Sequence, residues 1–158
     1  MFERIAVCLD GSELAEQILP YAAEQACRFK SVLVLLRIVS EPILLTPGIP
    51  GVAGGAVVTT RMEKQAEREQ QEAENYLRTI AERIKEKYEL HTECITLLGA
   101  PGQTIVDFAS DNNIGLIAIA THGRTGPGRA IFGSVADFVL RQSRLPILLV
   151  RPTSSKSK

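Results

Sequence analysis

The chain has no tryptophan, and its 158 residues include only eight aromatics, five Phe and three Tyr. Few rings leave little on which to stack bases. An excess of one charge is missing too: 18 Lys and Arg stand against 18 Asp and Glu, with a pI near 6.7. No polyanion-binding surface follows from that balance, so nucleic acid is not an expected partner. No apolar run approaches the roughly 20 residues that a membrane helix needs, and the run Val32 to Leu36 is stopped at once by Arg37. The start, Met1-Phe2-Glu3-Arg4, lacks a basic region followed by an apolar one and a cleavage site. A cytoplasmic protein with no membrane partner is therefore expected. Cys8, Cys27 and Cys94 are odd in number, far apart and without C-x-x-C spacing, which argues against a disulfide framework or a zinc site. They read as buried thiols.

What is present is 45% hydrophobic and 23% charged residues, enough for a core that needs no disulfide or metal. Residues 4 to 9 form a short apolar run that ends at Asp10-Gly11-Ser12, where a strand passes into a helix with Ser12 as N-cap. Leu14, Ile18, Ala22, Ala26 and Phe29 follow near helical spacing, with a bend expected at Pro20. Residues 32 to 39 are almost continuously apolar, as a strand covered on both faces should be. Ser40 to Thr60 is rich in Gly and Pro and reads as a long loop. Residues 61 to 89 read as a long amphipathic helix with Met62, Ala66, Ala73, Leu77, Ile80, Ile84 and Tyr88 on one stripe.

A third strand is expected at His91 to Leu98, a helix after Gly99-Ala100-Pro101-Gly102, and a fourth strand at Ile114 to Ala120. A glycine-rich segment, Thr121 to Arg129, leads to a helix that opens at Gly133-Ser134, and Pro146 to Val150 makes a fifth strand. Five strands alternating with four helices specify an α/β fold, a doubly wound and mostly parallel sheet with helices on both faces. Residues 1–152 read as one domain and 153–158 as a disordered tail.

In an open α/β sheet a ligand lies outside the carboxyl ends of the strands, where strand order reverses. Asp10-Gly11-Ser12 follows the first strand, and Thr121 to Ser134 follows the fourth. A carboxylate at one, with glycine-rich backbone and a helix N-terminus at the other, describes a nucleotide site. The glycine segment is neither GxGxxG nor a P-loop: in Gly123-x-x-x-x-Gly128-Arg129-Ala130 the Lys is Arg and the Ser or Thr is Ala. Arg124 and Arg129 are available to phosphate oxygens.

These residues resemble the universal stress protein family, whose ATP-binding members carry Gly-x2-Gly-x9-Gly-Ser/Thr after the fourth strand. Here Gly123 is followed by nine residues, Arg124 to Phe132, and then Gly133-Ser134, while Ala120 stands at the first glycine. The Asp10-Gly11-Ser12 turn, the variable loop and the closing Pro-Ile-Leu-Leu-Val strand fall in family order. The resemblance implies strand order 3-2-1-4-5, an ATP site, and a homodimer made through the Pro146 to Val150 strand. It implies that Asp10 contacts ribose or adenine, that Ile38 offers backbone to adenine, and that Ile119, Ala120 and Gly123 line the ribose and phosphate path. Gly133, Ser134 and Val135 would bind phosphates, with Mg2+ or Mn2+ accompanying the triphosphate.

Each candidate also has a purely structural role open to it. Asp10 serves as well as a brace for its own turn, Ser134 with Asp137 forms a capping-box-like pattern, and Arg124 and Arg129 serve as solvated loop charges. His122 lacks a nucleophile to work with, and His91 is structural. An ATP-binding regulatory or stress-response module and a nucleotide-free dimeric interaction module, for which Ala120 speaks, both stay open. With no dedicated base or metal-binding carboxylate cluster in the sequence, ATP turnover is expected to be absent or slow.

Overall fold

A computed structural model describes residues 1–40, 55–121 and 133–152. The apolar runs form β1 (Arg4–Cys8), β2 (Val32–Val39), β3 (Thr92–Leu98), β4 (Leu116–Ala120) and β5 (Ile147–Val150). All pair in parallel, as the alternation of strands and helices predicts, and in the order β3-β2-β1-β4-β5 that the family resemblance implies. Side chains alternate between the two faces of a strand, and here both faces are buried. Ile5, Val7, Leu33, Leu35 and Ala118 point into one core. Ala6, Cys8, Val34, Leu36, Ile117 and Ile119 point into the other.

The first core is covered by α1 (Glu13–Glu16), α2 (Leu19–Phe29) and α3 (Gly55–Tyr88) through Ala15, Ala22, Ala26, Leu77 and Ile80. The second is covered by α4 (Pro101–Asp111) and α5 (Ser134–Gln142) through Ile105, Ala109, Ala136 and Val139. These two helices sit close together because residue 102 is glycine: a Cβ there would meet Phe138 Cγ and Cδ1 at 2.8 Å. That contact helps to set where α5 begins.

Several local expectations are corrected. The bend at Pro20 is a break between two helices, and Pro20 lies in the first turn of α2, where its missing N–H costs no helical bond. Leu14 and Phe29, expected to face inward, are 36% and 43% exposed. Phe29 instead packs edge-on against Phe2 at the surface, with ring centroids 4.9 Å apart. The third helix starts at Gly55, inside the expected loop, because a helix already nucleated gains one hydrogen bond for each residue added. Of the three thiols only Cys8 is buried; Cys27 and Cys94 are exposed. The rest of the expected loop and the expected tail at 153–158 lie outside the described residues.

The sheet has two edges of different character. β3 carries Thr92, Glu93 and Thr96. β5 is Ile-Leu-Leu-Val, and all four side chains are half-buried. No helix in the described residues is long and apolar enough to cross a membrane.

Candidate functional site

Strand order reverses between β1 and β4. The chain leaves β1 through α1 and α2 toward β2, and leaves β4 toward β5 on the opposite side, so the carboxyl ends of these adjacent strands lie between two diverging crossovers, the place where open α/β sheets hold ligands. The register aligns Cys8 with both Leu36 and Ile119. The Leu9 amide prolongs the ladder by donating to the Leu36 carbonyl at 2.9 Å, and the Thr121 amide does the same to Val150 at 2.9 Å. Asp10, Ile38 and Thr121 therefore emerge at one level. Ile38 and Ile119 share the α5 side of the sheet.

The turn after β1 is shaped by three side-chain and backbone features. The Ser12 amide donates to Asp10 Oδ1 at 2.9 Å, and Ser12 Oγ accepts from the Ala15 amide at 3.1 Å, making Ser12 the N-cap of α1 as expected. Gly11 lies at φ +88°, a conformation L side chains rarely adopt. Asp10 thus does brace its turn. A carboxylate offers about four acceptor sites, so the Ser12 bond does not exhaust it.

At the facing end, Gly133 occupies the N-cap of α5 and Ser134 is the first helical residue. The first intrahelical bond runs from the Asp137 amide to the Gly133 carbonyl at 2.9 Å, so the amides of Ser134, Val135 and Ala136 have no partner within the helix. The capping-box reading of Ser134 is overturned. Gly133 holds the cap position, Ser134 is exposed, and the Asp137 carboxylate accepts instead from Arg141 Nε at 2.9 Å. Amides without a partner in the helix, together with the helix dipole, make this end favourable to an anion.

Behind the turn, on the α3 side, stands a group that sequence reasoning did not assign. The Arg37 guanidinium lies against Gly11, and its Cζ is 5.2 Å from the centroid of the Tyr76 ring. Tyr76 donates its hydroxyl to Glu16 Oε1 at 3.3 Å, while Arg83 Nη1 donates to Glu16 Oε2 at 2.9 Å. Burial, and next the Glu16 carboxylate, push the Tyr76 hydroxyl above its ordinary pKa; Arg37 works in the other direction. The available signal was Arg37 itself, the one charged residue in an otherwise apolar strand.

The profile of the universal stress protein family matches residues 1–151. The chain belongs to that family. Universal stress protein MJ0531 of Methanocaldococcus jannaschii is 27% identical over 151 residues, spanning 96% of this chain and 83% of that protein. Among solved structures, universal stress protein UspA from Lactobacillus plantarum aligns with a TM-score of 0.79 at 21% identity, over 95% of this chain and 98% of that one. The fold is shared by an Arabidopsis thaliana universal stress protein family protein with AMP bound, with a TM-score of 0.64 at 11% identity over 98% and 95% of the two chains. It is shared as well by a universal stress protein in complex with cAMP, with a TM-score of 0.63 at 18% identity over 96% and 98%.

In this universal stress protein the structure places Asp10, Ile38, Ile119, Ala120, Gly133, Ser134 and Val135 at the carboxyl end of the sheet or at the start of α5. Gly123, Arg124 and Arg129 lie outside the described residues. Ala120, the departure from the glycine motif, is 8% exposed, and its methyl belongs to the core shared with Ala15 and Val150. That is the face away from α5. Cys8 is no nucleophile for this site, since burial pushes its thiol up to about 12.

The turn should be sensitive in a graded way. Ser12→Ala removes an N-cap and is expected to cost about 1 kcal/mol. Gly11→Ala is expected to cost more, about 1–3 kcal/mol, because it combines a rarely adopted φ with a Cβ only 3.1 Å from the Arg37 guanidinium. Urea denaturation of both variants beside the wild type checks the order; equal midpoints for Gly11→Ala and wild type would contradict it.

Proposed function

We propose that this protein binds ATP in the crevice between the ends of β1 and β4 and the start of α5, and acts in the cytoplasm as a homodimeric regulatory module of the stress response. The observation that carries the reading is the pairing of β1 with β4, which sets the Asp10 turn at the end of the strand next to the one whose crossover helix is α5. In this arrangement the Asp10 carboxylate accepts from the ribose hydroxyls. The Ile38 backbone lies level with it for the adenine. Ile119 floors the crevice, and the amides of Ser134 and Val135, with the Ser134 hydroxyl, take phosphate oxygens. Gly123, Arg124 and Arg129 belong to the connection between β4 and α5 and are assigned to the phosphate path by motif and charge.

Two further facts support the reading. Some structural neighbours carry adenine nucleotides, AMP in one and cAMP in another. The burial of the Ala120 methyl on the α1 side removes the main argument for a lost site. Among the described residues no group of three or more His, Cys, Asp or Glu side chains converges on a point. A Mg2+ or Mn2+ ion arriving with the triphosphate would then draw on phosphate oxygens and water for its ligands.

The homodimer rests on β5. An edge strand whose four side chains are all apolar and half-buried invites pairing with a copy of itself about a twofold axis.

Calorimetric titration of ATP with Mg2+ into the wild type should give one site per chain. Asp10→Ala should weaken it about 10- to 100-fold, the loss expected for a hydrogen bond to a charged group. Absence of binding by the wild type would leave the dimeric interaction module as the function. For the dimer, Leu149→Asp should give monomers of native circular dichroism by light scattering. A dimer that survives the substitution would place the interface elsewhere.

A further inference from the structure

We propose that Arg37 is a positioning residue for the crevice: its guanidinium, held between the Gly11 backbone and the Tyr76 ring, keeps the Asp10–Ser12 turn in the shape that presents the Asp10 carboxylate. The proposal rests on the nucleotide reading above and adds to it a support from behind the sheet.

Arg37 does not face the ligand side. Strand alternation puts it with Leu33 and Leu35, toward α3, whereas its neighbour Ile38 lies on the α5 side. From there it meets the turn at the one residue that has no side chain. A Cβ on Gly11 would be 3.1 Å from Cζ, Nη1 and Nη2 alike, so the guanidinium lies flat against the backbone. The same guanidinium is in cation–π range of Tyr76, with Cζ 5.2 Å from the ring centroid. A planar group fits between backbone and ring; a lysine ammonium has no plane to offer there.

The stack is anchored at its far end. Tyr76 is tied by its hydroxyl to Glu16, and Glu16 belongs to α1, the helix that Ser12 caps. Arg83 holds the second oxygen of Glu16. The contacts therefore close a ring that runs from the turn through Arg37, Tyr76 and Glu16 back along α1 to the turn. Within it the Ser12 amide is bonded to Asp10 Oδ1, so any loosening of Gly11 reorients the carboxylate directly.

The test is a double-mutant cycle with Arg37→Ala and Asp10→Asn, read by ATP calorimetry and, without nucleotide, by hydrogen exchange of the Ser12 amide with the Ala6 amide as core reference. Arg37→Ala should speed Ser12 exchange about tenfold with Ala6 unchanged, and weaken ATP about tenfold, as loss of a correctly placed charged acceptor does. In the Asp10→Asn background it should change affinity less than about twofold, because a residue acting through Asp10 has nothing left to act on. Tyr76→Phe, which keeps the ring but releases it from Glu16, should weaken ATP only about two- to threefold, and Tyr76→Leu should reproduce the Arg37→Ala loss. Unchanged exchange and affinity in Arg37→Ala would overturn the proposal. So would an additive loss in the Asp10→Asn background, which would make Arg37 a direct ligand contact. If the wild type binds no ATP, the nucleotide reading fails on its own; Ser12 exchange, which needs no ligand, then confirms or overturns Arg37 as the holder of the turn.

Discussion

Parallel pairing of β1 with β4, which sets Cys8 beside Ile119, is the contact on which the site depends. The two strands are neighbours, yet their crossovers leave in opposite directions, toward β2 and toward β5. In open α/β sheets the space between such diverging crossovers is where ligands bind. The same pairing divides the helices into two layers, α1 to α3 on one face and α4 with α5 on the other.

Polar chemistry begins where the hydrogen-bond ladder ends. Within β1 and β4 every side chain from Ile5 to Cys8 and from Leu116 to Ala120 is buried and apolar, which leaves no group there to recognise anything. At or past the end of the ladder come Asp10, Ser12 and Thr121, and α5 opens with amides that have no partner within the helix. Asp10 spends part of its capacity on the Ser12 amide, which fixes its orientation. The α5 amides spend nothing within their helix. Arg37 is the one charge in β2, and it lies at the level where the β1–β2 ladder finishes.

The five strands and the doubly wound layers were legible in the sequence, because apolar runs and turn residues report local structure directly, while the strand order followed from the family resemblance. Asp10-Gly11-Ser12 and Gly133-Ser134 are local signals, and both stand where strand ends and helix starts were expected. Errors arose where the outcome depended on a partner distant in sequence. Glycine took the cap from Ser134, a one-residue shift that frees the hydroxyl. Phe29 sits at the surface because Phe2 supplies a partner there. Arg37 and Tyr76 are 39 residues apart on different elements, and no periodicity joins them. Ala120 was legible as a departure from the motif, but the face its methyl takes was not, since that depends on strand register.

The most direct test of the central claim is a 15N–1H correlation spectrum of the protein titrated with ATP and Mg2+. The account predicts shift changes concentrated at Asp10 to Ser12, Ile38, Ile119 to Thr121 and Gly133 to Val135, saturating together at one nucleotide per chain. Changes centred instead on the groove between α2 and α3, lined by Leu19, Ile80, Arg83 and Lys87, would contradict it. So would a spectrum that ATP leaves unaltered.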